Sequence, residues 1–219
     1  MKILLFEDWN PLQGGAEAYI IQLKNALIEM GDEVQLLTAN VSTQARELAD
    51  HLAPAFDHVL AKSLLQIGNP FAATVVRKAV QSFRPQVALV YMFALYLSPS
   101  ANFALGDIPY VLLISDYKCI CPLGHRLLTD NSVCHHPVGI ACLRSGCLSP
   151  PHWLRDQLRY RRMDEVTRRA AAIVSTSDSL RGSLAQQGID SRRVYLFSSP
   201  PDPPLPRQPD HNPLFLFVG

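Results

Sequence analysis

Short apolar runs alternate with helical stretches along most of this chain, and that alternation constrains its fold more than any other feature. The first run, Ile3 to Phe6, lies in KILLF. Behind it stands NPLQGGAEAYI, with Gly14 and Gly15 side by side. Ala16, Ile20, Leu23, Leu27 and Met30 then recur at helical spacing, and Gly31 is placed to end that helix as a C-cap. EVQLLTA (33–39) reads as a second strand. Strand, helix and strand from Lys2 to Ala39 make one βαβ unit in length.

The alternation continues. DHVLA (57–61) reads as a short strand, and 70–83 as a helix with Phe71, Val75, Ala79 and Phe83 on one face. VALVYM (87–92) and YVLLIS (110–115) are continuously apolar, as interior parallel strands are. Residues 153–171 read as a helix, 171–177 as a strand, 178–187 as a short helix and RVYLF (193–197) as a strand. The class this predicts is α/β: a doubly wound, Rossmann-like parallel sheet over residues 1–198. Residues 199–213 carry seven prolines in fifteen positions and read as an extended linker. LFLFVG (214–219) then reads as the first strand of a second α/β domain that has been cut away.

Bulk properties agree. The 219 residues suffice for one domain with a solid core and part of another. A net charge of +1 gives no global pull toward nucleic acid. Lys2 is followed by only four apolar residues before Glu7, too few for a secretory signal, and no apolar run approaches membrane-spanning length. The expectation is a cytoplasmic protein.

Three stretches carry candidate chemistry. Gly14 and Gly15 are not a dinucleotide fingerprint, which needs G-x-G-x-x-G, nor a P-loop, which needs Gly-Lys-Ser/Thr. A glycine pair still removes two Cβ atoms and lets backbone N–H groups approach an anion at the start of a helix; a tight turn for packing would use the same pair. Asp116 follows YVLLIS at the carboxyl edge of a parallel strand, where α/β ligand sites form, although an aspartate there also caps loops. All five cysteines fall within 119–147. Cys121, Cys134, Cys142 and Cys147 are candidate ligands for a structural zinc, with His125, His135 and His136 near by. Their separations of twelve, seven and four residues contain no C-x-x-C pair, so buried thiols and a disulfide stay open. In LRDQLRYRRMDEVTRR, Arg155, Arg159 and Arg162 lie roughly along one helical face, which suits a solvated surface, an acidic partner or anionic headgroups at a membrane.

Order and spacing of these motifs resemble the N-terminal half of GT-B-fold retaining glycosyltransferases of family 4. The likeness rests on KILLF followed by P-x-x-GGAE (Pro11, Gly14, Gly15, Ala16, Glu17), on EMGDEVQLLT (29–38), on RRAAAIVSTSDSLRGSL (168–184) and on the terminal LFLFVG. It implies an acceptor-side domain facing a nucleotide-sugar domain that this chain lacks. It also implies a nucleoside-diphosphate sugar as donor, a glycan or lipid-linked glycan as acceptor, polysaccharide assembly as the setting, and no metal required for catalysis. Gly14 and Gly15 would then close over the donor diphosphate, and Asp116 would orient an acceptor hydroxyl or take its proton. Related enzymes often carry His-Asp where this chain has Ser115-Asp116. The fragment alone is expected to be inactive. The rival reading is a non-catalytic α/β binding module with a metal-held cysteine loop. A nicotinamide-binding domain is disfavoured, since the second strand ends in Thr38-Ala39-Asn40 with no ribose-binding acid.

Overall fold

The computed structural model describes residues 1–8, 15–56, 58–91 and 93–194, with the side chains of 15–17 and 44 left aside. Gly14, the 199–213 linker, the 214–219 strand and most of the 193–197 strand therefore lie outside the described residues.

Among the described residues seven parallel strands form one sheet, in the order β3-β2-β1-β4-β5-β6-β7. They are β1 (Lys2–Glu7), β2 (Glu33–Asn40), β3 (His51–Pro54), β4 (Val87–Val90), β5 (Tyr110–Ile114), β6 (Ala172–Ser175) and β7 (Arg192–Arg193). This is the doubly wound order, in which the chain builds outward from β1 and then returns to build the other way from β4. The helices are α1 (Gly15–Glu29), α2 (Thr43–Leu48), α3 (Val59–Leu65), α4 (Pro70–Phe83), α5 (Pro99–Phe103), α6 (Ile140–Arg144), α7 (Pro150–Arg169) and α8 (Asp178–Ala185).

Alternation of side chains along the strands divides the core in two. Leu4, Phe6, Leu37, Val90, Leu112 and Ile114 pack with residues of α4, α5, α7 and α8. Ile3, Leu5, Leu36 and Leu113 pack with Tyr19 and Ile20 of α1. A strand covered on both faces must be apolar throughout, which is why KILLF shows no alternation. Leu4, Leu5 and Phe6 are fully buried, each stabilising the fold by about 1.5–3 kcal/mol.

Helix ends follow their local chemistry. Gly31 takes φ +89° as expected, and the Asp32 N–H reaches back to the Leu27 carbonyl, a Schellman closure. Asn69 caps α4 by accepting the Phe71 and Ala72 N–H groups, with Pro70 at the first helical position. Tyr110 donates to the Val166 carbonyl (2.6 Å), a group in the last turn of α7, and burial pushes its phenol up to about 12. Tyr110→Phe should cost about 1–2 kcal/mol in urea unfolding. It should also remove one high-titrating phenol from a spectroscopic alkaline titration.

Four expectations need correction. Residues 57–61 hold no described strand: Val59 and Leu60 begin α3 and are exposed. The edge strand is His51–Pro54, too short to display a pattern. In α4 the buried face is Ala72, Val76, Ala79 and Phe83, while Phe71 is half exposed. A strict four-residue step drifts about 40° per turn around a helix, so positions 71 and 83 do not share a face whereas 72 and 83 do. Met30 likewise falls outside the core. Finally α7 starts at Pro150, three residues early, and the short α2, α5 and α6 were not anticipated.

Candidate active site at the sheet switch point

In open α/β sheets ligands bind outside the carboxyl ends of the strands, where the chain's direction of travel across the sheet reverses. Here that point lies between β1 and β4. Asp8 follows β1 directly and is fully buried. Its Oδ1 accepts the N–H groups of Tyr96 and Leu97, each at 2.7 Å, and its Oδ2 accepts that of Leu95. Burial pushes the Asp8 carboxyl up; the three N–H donors and Lys118 pull against that.

The loop after β4 is fixed from a second side. Asn69 donates from Nδ2 to the Tyr96 carbonyl (2.7 Å), and its own N–H bonds Ser98 Oγ (2.9 Å). Ser98 holds φ +64°, a left-handed conformation that non-glycine residues keep only where their surroundings enforce it. Asp8 and Asn69 supply that enforcement.

The third wall comes from β5. Asp116 Oδ1 accepts the Lys118 N–H (2.9 Å), and Lys118 Nζ stands 3.4 Å from Asp116 Oδ2. Tyr160 of α7 donates to the Lys118 carbonyl, anchoring the turn. Asp116 thus closes a local turn and also faces a pocket. Asp8, Tyr91, Leu95, Ser115, Asp116 and Lys118 line that pocket, with Met163 of α7 beside them. Tyr91 bonds the Ser115 side chain and meets Tyr19 of α1 edge-on at 5.6 Å. Burial is the main cause that pushes its phenol up. The serine that stands where a histidine was expected is therefore tied to a buried tyrosine.

The pocket's wall is mostly apolar, with Phe93, Ile114 and Met163 in it, and a partly exposed carboxylate, a lysine and a serine beside a buried tyrosine give it a few polar groups for a hydroxyl-bearing ligand. Asp8, Lys118 and Tyr91 were missed from sequence. Asp8 could have been found as the acid closing the first strand, and Lys118 as the cation two places past Asp116. Gly15 opens α1; Gly14 lies outside the described residues, so the glycine pair's ligand role rests on sequence.

The remaining candidates lie apart. Cys119 borders the Asp116 pocket, and burial pushes its thiol up to about 12, far from a reactive thiolate. Cys121, Cys134, Cys142 and Cys147 surround a separate apolar cavity, all as free thiols. Burial pushes the Cys147 thiol up, with further contributions from Cys142, Cys134 and Cys121. Among the described residues no group of three or more His, Cys, Asp or Glu side chains is placed to hold a metal ion. Arg155, Arg159 and Arg162 of α7 are engaged within the domain. Arg155 pairs with buried Asp156 through Nε (2.9 Å) and Nη2 (3.0 Å), and Arg159, itself buried, lies 3.4 Å from the same carboxylate. Arg162 donates to the Ile67 carbonyl (2.9 Å).

An all-parallel sheet of this order, helices on both faces and a pocket at the strands' carboxyl ends define a Rossmann-like α/β domain. The chain belongs to the glycosyl transferase 4-like domain family, which it matches over residues 14–199. Solved structures agree on the fold. Sucrose-phosphate synthase from Thermosynechococcus elongatus superposes with a TM-score of 0.54 at 14% identity, covering 89% of this chain and 47% of that one. MurG from Acinetobacter baumannii gives 0.50 at 12% identity, covering 98% and 48%. UDP-GlcNAc 2-epimerase from Methanocaldococcus jannaschii gives 0.51 at 8% identity, covering 89% and 45%. The chain spans about half the length of each, which fits the N-terminal half of a GT-B architecture. The epimerase among them shows that this fold alone does not fix the chemistry. Comparison with the curated proteins gave no match.

Proposed function

We propose that this chain is the acceptor-side domain of a retaining glycosyltransferase that moves a sugar from a nucleoside-diphosphate donor to a glycan or lipid-linked glycan, in polysaccharide assembly. The observation that carries this reading is the Asp116–Lys118 pair at the carboxyl edge of β5, beside the switch point of a glycosyl transferase 4-like domain. Asp116 receives or orients the acceptor hydroxyl, and Lys118 offers positive charge to an anionic group. The nucleotide half of the donor belongs to a second domain, with Gly14 and Gly15 approaching its diphosphate. On this reading residues 1–219 alone transfer no sugar and bind nucleotide weakly. Work at a membrane's cytoplasmic face belongs to the lipid-linked version. It would use the exposed Leu154, Leu158 and Arg161 of α7 rather than the engaged arginines.

The test is the full-length protein with a panel of nucleotide sugars and glycan acceptors. Asp116→Asn should lower kcat by roughly 10²–10⁴-fold with little change in donor KM, as loss of a positioned base does. Full activity in that variant removes Asp116 from the chemistry. No donor hydrolysis or transfer with any sugar in the panel overturns the whole reading.

A further inference from the structure

Two arginines are buried among the described residues, and their surroundings differ. Arg159 has Asp156 beside it. Arg126, only 4% exposed, has no carboxylate within ion-pair distance among the described residues. Its Nη1 meets the His136 carbonyl at a long 3.5 Å. A guanidinium carries five N–H donors, and a buried cation is costly unless a counter-ion and acceptors meet it. The charge of Arg126 and most of its donors are thus uncommitted.

Arg126 lines a cavity of about 400 Å³ between α8 and the hairpin around the Leu127–Val133 bridge. His125 and His135 enter its wall from the two arms of that hairpin, and Tyr117, Asp178 and Ser179 from the other side. The hairpin fixes Arg126 in place: its carbonyl accepts the Cys134 N–H (2.7 Å), and its φ is +58°. His125 Nδ1 accepts the Leu127 N–H (3.1 Å), which puts the hydrogen of the neutral ring on Nε2 as a donor. The acid in the wall, Asp178, is already taken by Arg193 and by Arg181, the latter at 3.7 Å. The N-terminus of α8 is capped by Ser177, whose Oγ accepts the Leu180 N–H (3.1 Å), so the helix end is not what the cavity offers. What it offers is a buried guanidinium flanked by two imidazoles and a serine hydroxyl.

We propose that Arg126, His125 and His135 form a site for a phosphate or diphosphate group, and that the acceptor carries this group. A carboxylate presents two oxygens in one plane, which a single arginine fork satisfies. Donors on facing walls of a cavity this wide match the oxygens spread around a phosphate. The cavity lies past the carboxyl ends of β5 and β6. Tyr117 in its wall follows Asp116 in the wall of the neighbouring pocket, so the 116–118 turn divides the two. An acceptor can then present a hydroxyl to Asp116 while its phosphate rests against Arg126. The acceptor half of this inference rests on the proposed function, whereas the anion site itself does not.

The experiment titrates the full chain with inorganic pyrophosphate, followed by amide NMR and by thermal unfolding. Resonances of His125, Arg126, His135 and Ser179 should shift together, and Tm should rise with ligand concentration. Arg126→Met should weaken binding about tenfold or more. Without ligand that variant should be at least as stable as the wild type, because it removes a buried cation that has no counter-ion. A merely structural arginine would give the opposite, a loss of stability with binding unchanged. The double variant His125→Ala/His135→Ala changes two exposed side chains and should also weaken binding, which keeps the test independent of how Arg126→Met folds. A short-chain alkyl diphosphate and a nucleoside diphosphate then separate the sources. The alkyl diphosphate should bind at least as tightly as pyrophosphate, and tighter binding of the nucleoside diphosphate would hand the site to the donor and overturn the acceptor assignment. In the full-length protein Arg126→Met should raise KM for a phosphate-bearing acceptor and leave KM for a neutral glycan unchanged. Pyrophosphate binding without any sugar transfer would sink the proposed function and leave the anion site standing. Absence of shifts at these four amides, or binding unaltered by Arg126→Met, overturns the site.

Discussion

Asp156→Ala should destabilise the domain by about 3–5 kcal/mol, the largest effect expected of any single side chain in α7. Asp156 is fully buried, and two guanidinium groups converge on it: Arg155 from two nitrogens and Arg159 from Nε. Arg155 keeps some exposure and would turn to water. Arg159 cannot, because it is itself buried, so the substitution leaves a cation in the core without its counter-ion. Urea unfolding of the wild type and of the Asp156→Ala protein measures the loss. The double variant Asp156→Ala/Arg159→Met removes both charges and should recover more than half of it, since an apolar pair of similar volume commonly replaces a buried ion pair at little cost. A single-variant loss below about 1 kcal/mol would mean that water already reaches Arg159.

That ion pair also shows where sequence reading stopped. On a helical wheel Arg155, Arg159 and Arg162 read as one basic face open to solvent or a membrane. Charge count cannot tell an outward arginine from an inward one whose partner is an acid one or three places away on the same helix. Asp156 was visible in the sequence, but its burial depends on how α7 packs across α5, which no local pattern records.

The fold was far more legible than the site. Strands covered on both faces must be apolar end to end, so β1, β2, β4 and β5 stood out as runs. The order of strands and helices then left few topologies to choose from. What failed was short or exposed: the four-residue β3, the apolar but exposed Val59 and Leu60, and helices too brief to show a period. In the candidate site, Asp116 could be singled out because it follows an obvious strand. Asp8 follows an equally obvious strand, yet its partners Leu95, Tyr96 and Leu97 lie almost ninety residues away and offer only backbone N–H groups. Backbone donors have no signature in a sequence. The cysteines sit between these cases: their types and clustering were plain, but a hairpin and a short helix had to fold before four uneven spacings became one cavity wall.

Asp8→Asn tests whether the acid after β1 is the fixture of the pocket. A carboxylate accepts at both oxygens, and here both are used, by three N–H groups in total. An amide of the same shape accepts at one oxygen and presents N–H donors on the other side. Whichever way it turns, at least one backbone N–H of the 95–97 loop faces a donor and is left buried without an acceptor. The expected cost is about 2–4 kcal/mol, or a fall in Tm of roughly 6–10 °C for a domain of this size. The loss is local in origin, so hydrogen exchange at Leu95, Tyr96 and Leu97 should quicken far more than exchange in β1 or β2. Asp116→Asn, whose carboxylate is partly exposed and holds one backbone N–H, should cost no more than about 1 kcal/mol by the same measurement. In the full-length protein the two variants should also fail differently. On the proposed function Asp116→Asn removes the group assigned to the acceptor hydroxyl, so kcat falls while the fold stands. Asp8→Asn loosens the wall formed by Tyr91 and Leu95, so acceptor KM rises and thermal stability drops together. Unchanged protection of the three amides would mean the loop after β4 is held by Asn69 and Ser98 alone, and Asp8 would then be free to act as a ligand-binding group in its own right.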